Sequence, residues 1–451
     1  MKILKSLLLI HLTMLVATAQ QPQGQVPREW VDADTGHRVV RLSEEPGSQS
    51  LYFHQNGYTP DGSKMIMTTP TGLSVVNLRT RAVEKIVEGR VSILIVGRKT
   101  GQVYYTKFVR DGGRFSATVY ATDLDTKATR EVVKLPPGVS VSTVNADETL
   151  LAGTLDEKLA KDIAEGRFPR GPGAPPPPQQ QQPREGGEQP PPPPTERRGG
   201  DEYPGKGQMM ENRLAERRPL QVVTVNMKTG EVKSLLRGTD WYNHFQFSPT
   251  DPTLLMFCHE GPWHKVDRTW LIRTDGTPPV KVHPRTMLME IGGHEWFGAD
   301  GHMVWYDLQT PRSQVFWVAG YNVSTGERTW YNLQRSEWSV HYNVSPDGKL
   351  FAGDGGGPNS VAAPGNGQWI YLFHPEMVPD RTDGELPNSK GLVKPGFFRA
   401  ERLVNLSKHD YALEPNVTFT PDMKWLVFRS NMFGPTHVFA VELEKATQSR
   451  R

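Results

Sequence analysis

The stretch SPDGKLFAG, residues 345–353, contains a turn and a short strand that the rest of the chain repeats. Its Ser-Pro-Asp-Gly turn opens a run of apolar residues, a pattern typical of β-hairpins. Six further stretches resemble it: TPDGSKMIM (59–67), GRKTGQVYY (97–105), NADETLLAG (145–153), SPTDPTLLMF (248–257), GADGHMVWY (298–306) and TPDMKWLVF (420–428). The chain therefore holds seven copies of one unit.

A second element alternates with these turns, namely an apolar strand that ends in an Asp/Asn-x-x-Thr turn. Examples are SVVNLRTRAVEKI from Ser74 and QVVTVNMKTGEVKSL from Gln221. Two hairpins per unit give a four-stranded blade, and a period of roughly 40–50 residues is typical of β-propellers. The predicted fold class is all-β, a seven-bladed β-propeller. We expect strands from Val39 and from His437 to pair and close the ring, which removes free sheet edges.

One unit is stretched by a low-complexity segment. Residues 171–200 contain long proline and glutamine runs, which cannot join a sheet ladder. We interpret residues 155–212 as an insertion that is largely disordered, with one short helix predicted within 155–170. The insertion is either a spacer, a tether or tolerated padding.

The first residues resemble a secretory signal. Lys2 and Lys5 precede an apolar run, and Ala17-Thr18-Ala19 fits a cleavage site, so we expect residues 1–19 to be removed and 20–451 to form the propeller. No apolar run is long enough for a membrane span, and the mature protein is expected to be periplasmic or secreted. The single cysteine, Cys258, follows an apolar run and is predicted to be a buried thiol.

Charge and motifs exclude several classes of function. The net charge of +3 gives no reason to expect nucleic-acid binding. The chain has no serine nucleophile elbow, phosphate-binding glycine loop, HExxH or CxxC pair, which argues against serine hydrolases, NTPases and zincins. Histidine, carboxylate and arginine in loops after strands remain as the candidate chemistry.

Five histidines lie between residues 244 and 294: four in NHF, HEGPWHKVD and GGHEWF, and His283. His244 is a candidate general base, with an ordinary hydrogen-bonded histidine as the alternative. His294 and Glu295 follow two glycines, and imidazole beside carboxylate suits a divalent metal.

Flanking residues are candidates for substrate binding. His259, Glu260 and His264 follow a predicted buried strand and have either a binding role or a packing role. Arg217 and Arg218 precede another strand, and a guanidinium can clamp a carboxylate with two hydrogen bonds; an exposed charge pair is the alternative.

Further donors occur late in the chain, in SKHDYALEPNVTFTPD. Glu414 and Asn416 face the same side of an extended strand, and His409 lies nearby in sequence. Oxygen donors with a distant imidazole suit Mn²⁺, Mg²⁺ or Ca²⁺ better than a structural zinc.

The motifs FCHEGPWHKVD (257–267), HEWF (294–297) and LYFHQNGYTPDG (51–62) resemble those of the oligogalacturonate lyases. Members of that family are seven-bladed propellers that cleave short pectic fragments by β-elimination. The resemblance implies that His244 is the catalytic base, that Arg217 or Arg218 lies near the substrate, and that His294 is a Mn²⁺ ligand.

The family's remaining metal ligands come from a Gln and an HPH string, and this chain departs there. Glu414-Pro415-Asn416 stands in place of HPH and Tyr411 in place of Gln. We therefore predict Glu414, Asn416 and His409 as the further ligands. Gln55, in the third motif, and His341 are predicted substrate-binding residues.

The predicted reaction is abstraction of a proton α to a uronate carboxylate, assisted by a cation and a neutral histidine. The substrate is a small uronic-acid oligosaccharide, and the oligomeric state is left open. Three alternatives remain: a non-catalytic carbohydrate-binding propeller, a lyase acting on another uronic-acid glycan, and a hydrolase that uses Glu260 and Glu295 as its carboxylate pair.

Overall fold

The computed structural model describes residues 26–111, 114–167, 206–358, 360–362, 365, 367–379 and 391–446. The predicted leader, residues 1–19, and the proline-rich part of the insertion lie outside these ranges. Within them, strands dominate and helices are few and short, so the all-β prediction is confirmed.

In chain order the strands are β1 (Glu29–Val31), β2 (His37–Arg41), β3 (Lys64–Thr69), β4 (Gly72–Asn77), β5 (Val83–Glu88), β6 (Ser92–Val96), β7 (Val103–Asp111), β8 (Arg114–Thr122), β9 (Thr129–Leu135), β10 (Val139–Val144), β11 (Leu150–Asp156), β12 (Leu220–Asn226), β13 (Val232–Gly238), β14 (Trp241–Phe247), β15 (Leu254–Glu260), β16 (Thr269–Arg273), β17 (Val280–Lys281), β18 (Ile291–Phe297), β19 (Met303–Gln309), β20 (Phe316–Asn322), β21 (Arg328–Leu333), β22 (Tyr342–Val344), β23 (Phe351–Gly353), β24 (Trp369–Met377), β25 (Val393–Asn405), β26 (Thr418–Phe419), β27 (Trp425–Ser430) and β28 (His437–Lys445). The helices are α1 (Glu157–Ala164), α2 (Lys206–Glu216) and a 3₁₀ turn (Arg335–Glu337).

The strands form sheets in which sequence neighbours are usually paired. The orders are β3-β4-β5, β6-β7-β8-β9, β10-β11-β12-β13, β14-β15-β16-β17, β1-β2-β28-β27-β26 and an eight-stranded sheet. The eight-stranded sheet consists of two antiparallel meanders, β18 to β21 and β22 to β25, which a parallel pairing of β21 with β25 joins at their outer strands.

The repeated turns have a common local structure. In three of them the first residue donates its hydroxyl to the aspartate two positions later, at 2.6–2.7 Å: Thr59 to Asp61, Ser345 to Asp347 and Thr420 to Asp422. The backbone then enters the left-handed region, with φ of +70° at Gly62 and +73° at Gly348, where glycine has no steric penalty. This geometry explains why Pro-Asp-Gly recurs.

The two ends of the chain pair as predicted. Strand β2 lies between β1 and β28, and Val39 is paired with Val441. One sheet therefore combines N-terminal and C-terminal strands, and neither end strand is left unpaired.

The insertion lies between the second and third strands of the β10 to β13 sheet. The short helix predicted within 155–170 is confirmed as α1, which Asp156 caps by accepting a hydrogen bond from the Leu159 amide. Residues 155–156 belong to β11, so the segment between the strands begins after the predicted first residue, 155. Helix α2 continues to Glu216, so the segment ends after the predicted last residue, 212.

The core consists of apolar residues on facing strands. Cys258 is fully buried beside Phe257 on β15, which confirms the predicted buried thiol, and burial raises the pKa of that thiol. None of the helices in the described part of the chain has the length and apolar character that a membrane crossing requires.

Candidate active site

The three histidines at the centre of the candidate site occupy one position of the repeat. In every unit it is the residue four places before the repeated turn, and most of these residues lie at or near a β-bulge. The seven residues at this position are Gln55, Ile93, Val141, His244, His294, His341 and Asn416. Bulges re-aim side chains at the ends of strands. Three of these residues, His244, His294 and Asn416, have a positive φ, between +47° and +55°.

His244, on β14, is fixed by an acid behind it. Its Nε2 lies 3.2 Å from Oε2 of Glu260, and the Asn243 amide donates to the same oxygen at 3.0 Å. The other oxygen of Glu260 accepts a hydrogen bond from Arg268, whose side chain is 4% exposed. Burial raises the pKa of Glu260, but Arg268, His244 and Asn243 lower it far below its usual value. Glu260 is therefore ionised and orients the His244 ring.

Tyr52 connects His244 to the other histidines. Its ring stacks on His244, with centroids 5.9 Å apart, and its hydroxyl lies 3.3 Å from Nε2 of His341. Burial, together with Glu414 and Glu295, raises the pKa of Tyr52 well above its usual value. The phenol therefore keeps its proton at neutral pH.

His294 and His341 lie side by side, with ring centroids 4.9 Å apart. Each uses Nδ1 to contact a buried carboxylate. In His294 this is Oδ1 of Asp307, at 3.1 Å, and in His341 it is Oδ2 of Asp354, at 3.0 Å. Each ring thereby keeps Nε2 for another partner.

The pKa values of the two rings are shifted in opposite directions. Burial opposes a rise in the pKa of His294, but the contact with Asp307 outweighs it and the pKa is raised. Burial lowers the pKa of His341 to about 3, so that ring is neutral at pH 7. Burial also raises the pKa of its partner Asp354 to about 7.

Of the three late residues predicted as metal ligands, the structure brings one to the histidines. Glu414 has Oε2 at 3.7 Å from Nε2 of His341. Asn416 instead uses its side chain on the backbone, accepting from Phe53 N–H and donating to the Glu414 carbonyl. His409 has both ring nitrogens engaged, with Ser430 at 2.9 Å and with the Leu413 carbonyl at 2.6 Å.

The two predicted arginines form ion pairs with carboxylates other than Glu414 and Glu260. Arg217 is 61% exposed and pairs with Asp240, while Arg218 pairs with Asp156 at 2.6 Å. Asp240 also contacts His259, whose Nε2 lies 3.3 Å from it. Arg217 and His259 thus contact the same carboxylate, that of Asp240.

Gln55 has a structural contact pattern. Its Oε1 accepts from the Tyr52 amide and its Nε2 donates to the Leu94 carbonyl. These bonds hold the segment that carries Tyr52.

Glu260 and Glu295 are 6% and 2% exposed, so the carboxylate pair required by the hydrolase alternative is buried rather than open to substrate.

A cavity of about 180 Å³ opens beside His294 and Glu414. Trp263 and His264, from the HEGPWHKVD loop, line it, and so does Arg312. The edge of the Trp263 ring meets His294, with centroids 5.1 Å apart, and its face covers Arg268 at 4.6 Å. His244 is not part of this lining and is linked to it through Tyr52 and His341.

Divalent-cation binding is supported by the types of side chain present, although these side chains are not arranged around one point. Among the described residues, no three histidine, cysteine or carboxylate side chains form a ready-made metal site. His294, His341 and Glu414 nonetheless combine two imidazoles and a carboxylate, and each imidazole has an acid behind it. Second acids of this kind accompany metal-binding histidines and fix their orientation.

Sequence reasoning missed Tyr52, His54, Asp307, Asp354 and Arg268. His54 packs against Tyr52 and His244, and burial lowers its pKa well below its usual value. The signal that could have found Tyr52 and His54 is their place just before Gln55. Asp307 lies on the second strand of its unit and Asp354 directly follows one, and both become evident only from strand pairing.

Comparison with known proteins confirms the resemblance that the motifs predict. Residues 212–374 match the family model described as oligogalacturonate lyase. The oligogalacturonate lyase of Dickeya dadantii is 23% identical over 439 residues, which cover 91% of this chain and 95% of that protein.

Two solved structures have the same fold. One is an oligogalacturonate lyase in complex with manganese, 22% identical, and the other is the oligogalacturonate lyase of Vibrio parahaemolyticus, 20% identical. Each superposes with a TM-score of 0.66 over 92% of this chain and 96% of the other chain.

Proposed function

We propose that this protein is an oligogalacturonate lyase, which cleaves short uronic-acid oligosaccharides by β-elimination. The similarity to enzymes of that name over nearly the whole chain is the premise. The observation that carries the proposal is the connected set His244, Tyr52, His341, His294 and Glu414, in which a base, an acid and cation-binding donors adjoin one another.

His244 is the proposed base. Because Glu260 accepts a hydrogen bond from its Nε2, the lone pair on Nδ1 is free to take the proton from C5 of the uronate. The electron pair of the C5–H bond forms the C4=C5 double bond, and the C4–O bond breaks with its electrons remaining on oxygen. No covalent nucleophile is needed.

Tyr52 is the proposed acid. Its phenol is protonated and stacks on the His244 ring, so it can deliver a proton to the departing oxygen. The products are an unsaturated uronide and a shortened saccharide with a new hydroxyl. His244 then holds the proton from C5 and Tyr52 has lost one, so a proton returns from His244 to Tyr52, directly or through solvent, and no water is consumed.

The proposed cofactor is a divalent cation, with Mn²⁺ preferred because a relative's structure contains manganese. His294, His341 and Glu414 would hold it. When bound, such a cation stabilises the negative charge that develops on the uronate carboxylate. In place of Arg217 or Arg218, we propose Arg312 as the guanidinium that faces the substrate, because it lines the cavity with His294 and Glu414.

We further infer the architecture and destination of the protein. There are six sheets among the described residues, and the eight-stranded one contains two four-stranded meanders. Counting each meander as one blade supports a seven-bladed propeller over residues 20–451. The proposal that residues 1–19 are a cleaved signal, and that the mature protein is exported, rests on the sequence alone.

The test is to incubate the protein with digalacturonate and Mn²⁺ and record the absorbance of the unsaturated uronide. We expect the band to appear, and His244→Ala to reduce its rate about 100-fold to 10,000-fold, the usual contribution of a positioned base. His302→Ala, at an exposed histidine, is the matched control and should keep the rate.

The alternatives predict different results. A binding propeller would bind digalacturonate with or without His244 and release no product. If another uronide is the substrate, the band appears with that oligosaccharide and not with digalacturonate. Absence of the band with every uronide oligomer would refute the lyase proposal.

A further inference from the structure

The cavity beside His294 and Glu414 has polar and apolar lining residues. Its polar side chains are Glu211, His264, His294, Arg312 and Glu414. A set of apolar side chains, here called the apolar wall, comes from four separate segments of the chain: Met210, Ile291, Trp338, Val340 and Val361. The hydroxyls and carboxylate of a galacturonate ring find no hydrogen-bond partner on Met210, Val340 or Val361.

Helix α2 completes the apolar wall. Its Glu211 forms an ion pair with Lys265 at 2.7 Å, and the Arg213 guanidinium lies over the Trp241 ring at 4.1 Å. These contacts hold the helix against the loop that carries Trp263 and His264. Met210 is consequently 6% exposed and lines the cavity, whereas its neighbour Met209 is 41% exposed.

The size of the cavity limits what can occupy it. At about 180 Å³ it is smaller than the roughly 300 Å³ at which pockets begin to enclose drug-sized ligands. It has room for part of a sugar unit rather than for a chain. A small apolar group would replace water there without leaving a buried hydroxyl unpaired, which costs free energy.

Resting on the lyase function proposed above, we propose that the preferred substrate is a uronide oligosaccharide carrying a small ester group. The methyl or acetyl carbon of the ester lies against Met210, Val340 and Val361. The free carboxylate of the reacting sugar faces His294, Glu414 and Arg312. The apolar wall thus adds a specificity that unsubstituted oligogalacturonate does not use.

The experiment compares kcat/KM for digalacturonate, its mono-methyl ester and its mono-O-acetyl ester. We expect at least one ester to be preferred about fourfold or more, the effect of burying one further CH₂ group at about 0.8 kcal/mol. The two esters identify which group is recognised. Met210→Asn should abolish the preference, and Met209→Asn, on the exposed side of α2, should keep it.

Binding to the inactive protein separates this proposal from the lyase proposal. Calorimetry of the same three ligands on His244→Ala should give the same order of affinity. Val361→Asn, outside the helix, provides a second variant should Met210→Asn fail to fold. The ester proposal is overturned if the wild-type protein has equal kcat/KM for all three ligands. It is also overturned if Met210→Asn and Val361→Asn both retain the ester preference. Either result holds even if the unsaturated product forms.

Discussion

The Asp307→Asn substitution tests how the site holds a cation. Asp307 is 1% exposed and its Oδ1 lies 3.1 Å from Nδ1 of His294. Asparagine keeps the shape and can still accept the hydrogen bond, so the change removes mainly the negative charge behind the ring. Replacing an acid that supports a metal-binding histidine typically weakens metal binding about 10-fold to 100-fold. We expect the Kd for Mn²⁺ to rise by that factor, equivalent to about 1.4–2.7 kcal/mol.

Proton competition must be separated from this effect. The contact with Asp307 raises the pKa of His294, so the substitution lowers it and reduces competition by protons. At about pH 8, above the usual histidine range, that compensation is small. Calorimetric titration with Mn²⁺ at this pH, without substrate, therefore measures the loss of the charge.

Asp300→Asn is the matched control, because Asp300 is exposed in the turn between β18 and β19. It should leave the Kd unchanged. If Asp307→Asn also binds Mn²⁺ with the wild-type Kd, His294 is not a ligand and the reasoning fails.

Three further predictions concern stability and catalysis. Glu260→Gln leaves Arg268 buried without its ionised partner and should lower the free energy of unfolding, measured in urea, by about 3–5 kcal/mol. An unchanged urea midpoint of unfolding would contradict this. In Glu290, burial raises the pKa but hydrogen bonds with His283 and Thr286 lower it to about 2, so its stabilisation is present above pH 4.5 and lost towards pH 2. Glu290→Gln should flatten acid unfolding in that window, whereas Glu44→Gln, exposed, should not. Tyr52→Phe should reduce kcat about 100-fold or more with digalacturonate binding retained, and a wild-type kcat would remove Tyr52 as the acid.

The fold could be predicted because its signal is local and repeated. The turn that contains Asp347 and Gly348 works through a hydroxyl, an aspartate and a left-handed glycine that are adjacent in sequence. Pairing of the chain ends was also predictable, since the strands at Val39 and His437 needed partners and only closure supplied them.

The site could be predicted only in part, because its geometry depends on contacts between distant strands. His244 and His294 were found from their sequence neighbours. His409 has the residue type of a ligand, but Ser430 and the Leu413 carbonyl, reached only in the fold, engage both nitrogens. His341 was predicted to bind substrate, and its proximity to Glu414 could not be predicted because the two residues lie far apart in the chain.

The arginine prediction illustrates a second limit. Arg217 and Arg218 precede β12, and the family resemblance implied that one of them lies near the substrate. In the fold, they form ion pairs with Asp240 and Asp156 and do not line the cavity, while Arg312, from the segment between β19 and β20, does. Charge pairing across sheets decides such positions and is not encoded within one strand.

The most direct measurement of the central claim is the mass of the products formed from digalacturonate in ordinary water. Elimination, with His244 taking the C5 proton, predicts one galacturonate and one product that lacks a molecule of water relative to galacturonate. Two galacturonates, whose summed mass exceeds that of digalacturonate by one water, would contradict it.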